Sequence, residues 1–417
     1  MRDRSAFLFL AAFPLVLLVT GLLIEPLAEV GAGLSRIVLA RSLLLNDYLS
    51  VGGIGATLVN AGICGLVSVA LVKLSGVLVN GPFIAAVYTV IGFAFFGKNI
   101  YNIWPILAGV LLYTRAQQTP FRNSLLVALF GTTLAPLVSF FSFHAGLSQP
   151  WGMTLAIVFG LLVGFVLPPL ASHMLRFHDG YNIYNIGFTG GIVGSFFVAI
   201  FRSFGFEIAV GLELVEQYNG FFQLYFLGIF ALLILFGLWQ ARSSFDELGS
   251  AFWRILTSSG RLVSDFVQIG NFSSSIINMG VMGIIASLFV IMLGGSFNGP
   301  VIGGILTVVG FAAFGKHPAN CLPVLAGVVL ASLVKVWETS TTVVIIAGLF
   351  GTTLAPLAGQ YGPLAGLAAG FFHLSIVMNV GVLHGGINLY NNGFAGGFVA
   401  SFLAPIFDAF KRSTEKE

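Results

Sequence analysis

Charge is scarce in this sequence. Only 8% of its 417 residues are charged, against roughly 25% in an ordinary soluble domain, and this excludes a sizeable water-soluble domain. Cysteine is nearly missing as well. Cys64 and Cys321 fall opposite Met282 and Ile103 in an internal duplication, so neither a disulfide framework nor a metal cluster follows, and they read as apolar side chains. The 18 Lys and Arg residues stand singly between apolar runs and the net charge is only +3, which excludes a nucleic-acid footprint. Glycine runs such as Gly160 to Gly164 and Gly190 to Gly194 have no P-loop lysine or Rossmann context beside them. Their spacing suits close helix packing.

Enzymatic groups are thin too. No serine or cysteine nucleophile motif is present, and an acid–base pair of His178 or His384 with Asp179 has only its asymmetry in its favour, Gly385 standing opposite the aspartate. The chain is therefore expected not to be an enzyme and to need no cofactor or metal.

What is present is apolar sequence: 57% of residues are hydrophobic, in runs such as Ala6 to Leu23, Tyr225 to Leu238 and Val281 to Leu293. These predict an all-α polytopic membrane protein whose main partner is the lipid bilayer. The basic start with Arg2 and Arg4 reads as a first spanning helix with a cytoplasmic N-terminus, since no clear Ala-x-Ala cleavage site follows.

The sequence is also duplicated. NGPFIAAVYTVIGFAFFGK from Asn80 and NGPVIGGILTVVGFAAFGK from Asn298 match at 12 of 19 positions, an offset of 218 that also carries Arg36, Asp47, Asn60 and Pro105 onto Arg254, Asp265, Asn278 and Pro323. LFGTTLAPL ends unchanged at Leu137 and Leu357. HDGYNIYNIGFTGGIVGSFFVAIF from His178 matches the block from His384 at 14 of 24 positions, now at offset 206. Two transmembrane copies follow, residues 1–217 and 218–417.

Each copy reads as a spanning helix (Ala6 to Leu27; Phe221 to Ala241), an amphipathic stretch (Gly33 to Tyr48; Ser250 to Phe266), a long apolar helix (Ile54 to Val79; Ile276 to Gly295), the NGP block, further helices and the His-Asn-Tyr-Asn block. The NGP segment is too short to cross a hydrocarbon core comfortably, which predicts a re-entrant or broken helix. Arg2 and Arg4 against Glu207, Glu213 and Glu216 in the connector favour opposite sides, hence inverted copies.

Polar residues that recur in both copies are the binding candidates. Asn80 and Asn298 precede helix-starting prolines, where they either cap a helix or offer groups to a solute. The pairs Thr132 with Thr133 and Thr352 with Thr353 either satisfy carbonyls freed by Pro136 and Pro356 or face a pore. His178, Asn182, Tyr184 and Asn185, matched by His384, Asn388, Tyr390 and Asn391, bring uncharged donors and acceptors suited to a small polar solute, or else form an interfacial loop. Lys98 and Lys316 either snorkel to headgroups or attract anions at the pore mouths. Glu338 near Lys335 forms a salt bridge or carries a coupling ion. The leading expectation is a transporter or channel for a small polar solute at the interface of the copies. An ion-coupled transporter of a small anion and a non-transport scaffold or sensor are the alternatives, and a homo-oligomer is left open.

Two resemblances accompany these motifs. FNGPVIGGILTVVGFAAFGKHP (Phe297 to Pro318) and HGGINLYNNGFAGGF (His384 to Phe398) resemble a family of highly hydrophobic bacterial membrane proteins of unassigned function, which implies an inner-membrane protein and no substrate. The order of elements, with LFGTTLAPL in the middle of each copy, is similar to that of urea transporters. That family's Leu-Pro-x-x-Thr-x-Pro-Phe filter is absent, so urea selectivity is not implied.

Overall fold

A computed structural model describes residues 2–208, 211 and 213–414. Its regular structure is helical, and ten helices among the described residues are long and apolar enough to cross a membrane. Large apolar side chains such as Leu224, Leu232, Phe196 and Leu364 lie exposed on these helices, as lipid-facing surfaces require. The chain is a multi-pass membrane protein in contact with the bilayer.

The expected series of elements is present in both copies. Arg2–Ile24 and Asn219–Ala241 open them, followed by the amphipathic Leu27–Leu39 and Phe245–Leu256 and the long Ile54–Leu74 and Phe272–Met292. The NGP blocks fold into Gly81–Phe93 and Gly299–Phe311, each 13 residues. At 1.5 Å per residue each reaches about 20 Å, short of a core of about 30 Å. Every residue of both is buried, so these two short helices form the centre of the molecule.

They pack against each other antiparallel. Gly81 approaches the carbonyl of Ala313 at one end and Gly299 that of Phe95 at the other, while Gly92 lies against Gly303 between them. A Cβ on Gly92 would sit 2.9 Å from the Gly303 carbonyl oxygen; the contact requires glycine because no side-chain carbon tolerates that distance.

The LFGTTLAPL segments are helices broken by a 3₁₀ turn, Thr132–Leu134 in one copy and Thr352–Leu354 in the other, just before Pro136 and Pro356. The chain then runs through Gln149–Phe177 or Pro363–Val380 into the closing helices Asn185–Ser203 and Asn391–Thr414. The extra residues of copy one lie between Ser142 and Trp151, where a π-helical turn at Phe140–His144 meets the start of Gln149–Phe177.

Candidate functional site

The ends of the short helices are satisfied by both copies at once. Asn80 Oδ1 accepts the Phe83 amide at 3.2 Å and Asn298 Oδ1 the Val301 amide at 3.1 Å, so both asparagines cap their own helices and meet the need of unpaired amides at a helix start. Asp265 of copy two accepts the Gly81 amide at 3.0 Å, and Asp47 of copy one accepts that of Gly299. The neighbouring amides point the other way: Tyr48 donates to Phe95 and Phe266 to Ala313, at 3.0 and 3.1 Å. Each Asp-aromatic step therefore holds the end of its own copy's short helix and the start of the other's. A carboxylate also suits a helix N-terminus electrostatically.

The motif blocks interlock in the same crossed fashion. Thr133 donates to Asn388 at 3.0 Å and Thr353 to Asn182 at 2.5 Å. The amides of Tyr390 and Tyr184 donate to these same threonine hydroxyls, each at 3.0 Å. Asn182 in turn donates to the Gly393 carbonyl and Asn388 to that of Gly187. His178 bonds Asn185 at 3.1 Å and His384 bonds Asn391 at 2.9 Å, and those asparagines donate to Ala171 and Val377 at the ends of the preceding helices. These eight residues of the two closing and threonine blocks join the copies and hold the loops. The threonine hydroxyls and both ends of the Asn182 and Asn388 amides bond protein, as buried polar groups require, whereas the Nδ1 atoms of His178 and His384 have no partner.

The residues that remain turn toward the centre. Lys316 Nζ donates to the Tyr184 phenol and, at 2.6 Å, to the Thr352 hydroxyl, which itself donates to the Leu349 carbonyl. The ammonium lies 4.5 Å from the centre of the Tyr184 ring. Tyr184 packs at 4.8 Å, tilted by 45°, against Tyr390, whose phenol donates to Thr89 at 3.2 Å and also bonds Thr307. Phe93 packs on Tyr390 at 4.6 Å and Phe311 on Tyr184 at 4.7 Å. At the far end Lys98 lies 5.0 Å from the centre of the Phe93 ring, and its Nζ has no hydrogen-bond partner. Thr132, the counterpart of Thr352, donates to the Leu129 carbonyl at 2.6 Å.

Lys98 and Lys316 are not pore-mouth charges, nor do they snorkel: both are 0% exposed. The short helices end inside the protein, so a lysine at their ends is carried inward. Asn60 and Asn278 fix that depth by donating to the carbonyls of Ala94 and Lys98 and of Ala312 and Lys316, at 2.7 to 2.9 Å. Lys335 and Glu338 do not pair with each other. The helix ends at Val334, Lys335 binds the Phe371 carbonyl at 3.0 Å together with Ser375, and Glu338 accepts from Ser340. Sequence reading passed over the capping role of Asp47 and Asp265 and the central place of Thr89 and Thr307, although each pair shares the offset of 218.

A cleft of about 580 Å³ opens at the boundary of the copies, with Leu44, Leu45 and Arg202 from copy one facing Asn379, Asn391 and Asn392 from copy two. Among the described residues Arg202 is its one charged lining residue. Leu44 and Leu45 lead into the clamp of Asp47 and Tyr48 on Phe95, three residues before Lys98.

A family model described as a protein of unknown function, DUF1576, matches residues 27–203 and 245–409. The chain belongs to the DUF1576 family. The two matched segments begin 218 residues apart (245 minus 27) and end 206 apart (409 minus 203), the offsets of the duplication itself. No curated protein and no solved structure matches the chain, so the likeness to urea transporters gains no support.

Proposed function

We propose that this protein is a transporter or channel for a small polar solute, with the pathway at the interface of its two copies. One observation carries the reading: Lys316, Thr352, Tyr184, Tyr390, Thr89 and Thr307 join across the copies through buried hydrogen bonds and a ring contact beside the paired short helices, and the second buried lysine, Lys98, meets them through the Phe93 ring. A lipid-facing shell has no need of buried lysines, and ionisable groups at membrane depth mark solute or ion routes.

The antiparallel packing of the two short helices supports inverted copies, in which a two-fold axis runs between Thr89 and Thr307. Short helices with polar ends at the repeat interface are the features that repeat-built transporters use for binding. On this reading the short helices are re-entrant, and the resemblance of the motif strings suggests the bacterial inner membrane as the setting.

The test is flux into proteoliposomes across a panel of small neutral and charged solutes. At least one solute should equilibrate faster than in protein-free vesicles, and Thr352→Val with Tyr184→Phe should slow it. A panel without any protein-dependent flux overturns the reading.

A further inference from the structure

We infer that the solute is a small monovalent anion, bound in turn at two half-sites built around Lys98 and Lys316; this rests on the transport reading above and names its substrate class. Both lysines are fully enclosed, and among the described residues neither has an acidic partner. The titratable groups that face them are neutral acids, the Cys64 thiol beside Lys98 and the Cys321 thiol and Tyr184 phenol beside Lys316. An ammonium buried without a counter-charge is costly, and keeping one in each copy makes sense where the balancing charge arrives with the ligand.

The donor sets fit an anion and little else. Around Lys316 stand an ammonium, the Thr352 hydroxyl and the Tyr184 phenol, within an aromatic wall of Phe311 and Phe350. One positive charge per half-site matches one negative charge, and a lone lysine with two hydroxyls among enclosing rings suits a ligand of a few atoms, the size of nitrate, formate or a halide. Near Lys98 the equivalent phenol is turned elsewhere, since Tyr390 bonds Thr89 and Thr307, and the Thr132 hydroxyl, which bonds Leu129 as Thr352 bonds Leu349, accepts nothing from the lysine. The Lys98 ammonium is left unpartnered. Lys98 is thus the half-site ready for an anion, and Lys316 the half-site in which the tyrosine and threonine occupy the ligand's place.

The experiment uses the full chain in proteoliposomes with nitrate, formate, chloride and urea as separate probes. Wild type should pass nitrate, formate or chloride at least about tenfold faster than urea, and Lys98→Met and Lys316→Met should each lower that flux by about tenfold or more. The exposed Lys73→Met should leave it unchanged. Should Lys98→Met fail to fold, the thermal midpoint of detergent-solubilised wild type gives the same answer: saturable stabilisation by nitrate or formate and none by urea. Urea flux without anion flux, anion flux that survives both lysine substitutions, or a midpoint indifferent to all the anions overturns the anion assignment while leaving transport standing. Flux of no probe at all overturns both.

Discussion

The two copies carry the same lysine at the end of the same short helix, yet Lys316 is held by two hydroxyls and Lys98 by none. Everything that positions them is duplicated: the Asn60 and Asn278 anchors, the Asn80 and Asn298 caps, and the crossed Asp47 and Asp265 clamps. The difference lies in the tyrosines. Tyr184 gives its phenol to Lys316, while Tyr390 gives its own to the threonine pair at the centre. A duplicated scaffold thus holds its two lysines in two different arrangements, which the proposed transport would use as alternating states of one site.

The comparison can be broken most severely at the centre. Gly92→Val drives two methyl groups and a Cβ into the Gly303 backbone, and little of this variant should reach the membrane folded, as measured by monodisperse yield in detergent; a normal yield would show that the short helices do not pack as described. Next come the clamps. Asp265→Ala leaves the Gly81 and Val267 amides without their acceptor, and each buried amide so exposed costs about 1–3 kcal/mol. Its thermal midpoint should fall by several degrees, and Asp47→Ala in the other copy should match it.

The lysines should then separate the halves. In a buffer of large anions such as gluconate, Lys316→Met forfeits two hydrogen bonds and should lower stability by about 1–3 kcal/mol. Lys98→Met removes an unpartnered buried amine and should be neutral or stabilising. Equal losses would erase the asymmetry.

The smallest effect is a pH dependence. Burial pushes the Asp47 carboxyl up to about 6, against amides of Leu49, Gly299 and Val215 that pull it down. A carboxyl whose folded pKa lies above the ordinary 3.8 favours the fold in its neutral form. Its contribution is full below that ordinary value and is lost as pH rises through about 6. Asp47→Asn should flatten the midpoint-against-pH curve over that window.

Much of this was legible in the sequence. The offsets of 218, 220 and 206 define the copies, and the proline after Asn80 and Asn298 marks helix starts that the two asparagines do cap. The threonines were legible in part: the Thr132 and Thr352 hydroxyls donate to the Leu129 and Leu349 carbonyls of the preceding turn, as a Ser or Thr beside a helix break does. Thr133 and Thr353 instead reach residues 255 and 171 positions away, and no local pattern encodes such a partner. The lysines misled for a physical reason. A lysine at a helix end snorkels only when that end reaches the headgroups, and helix length from sequence does not reveal that the 13-residue helix is enclosed on all sides.

The most direct test of the account is side-resolved labelling of cysteines at Thr132 and Thr352, introduced singly after Cys64→Ala and Cys321→Ala, in vesicles of known orientation. Inverted half-sites on one pathway predict modification of Thr132→Cys and Thr352→Cys by a small charged thiol reagent from opposite sides of the membrane, with nitrate protecting each. Labelling of both from the same side, or protection of neither, would contradict it.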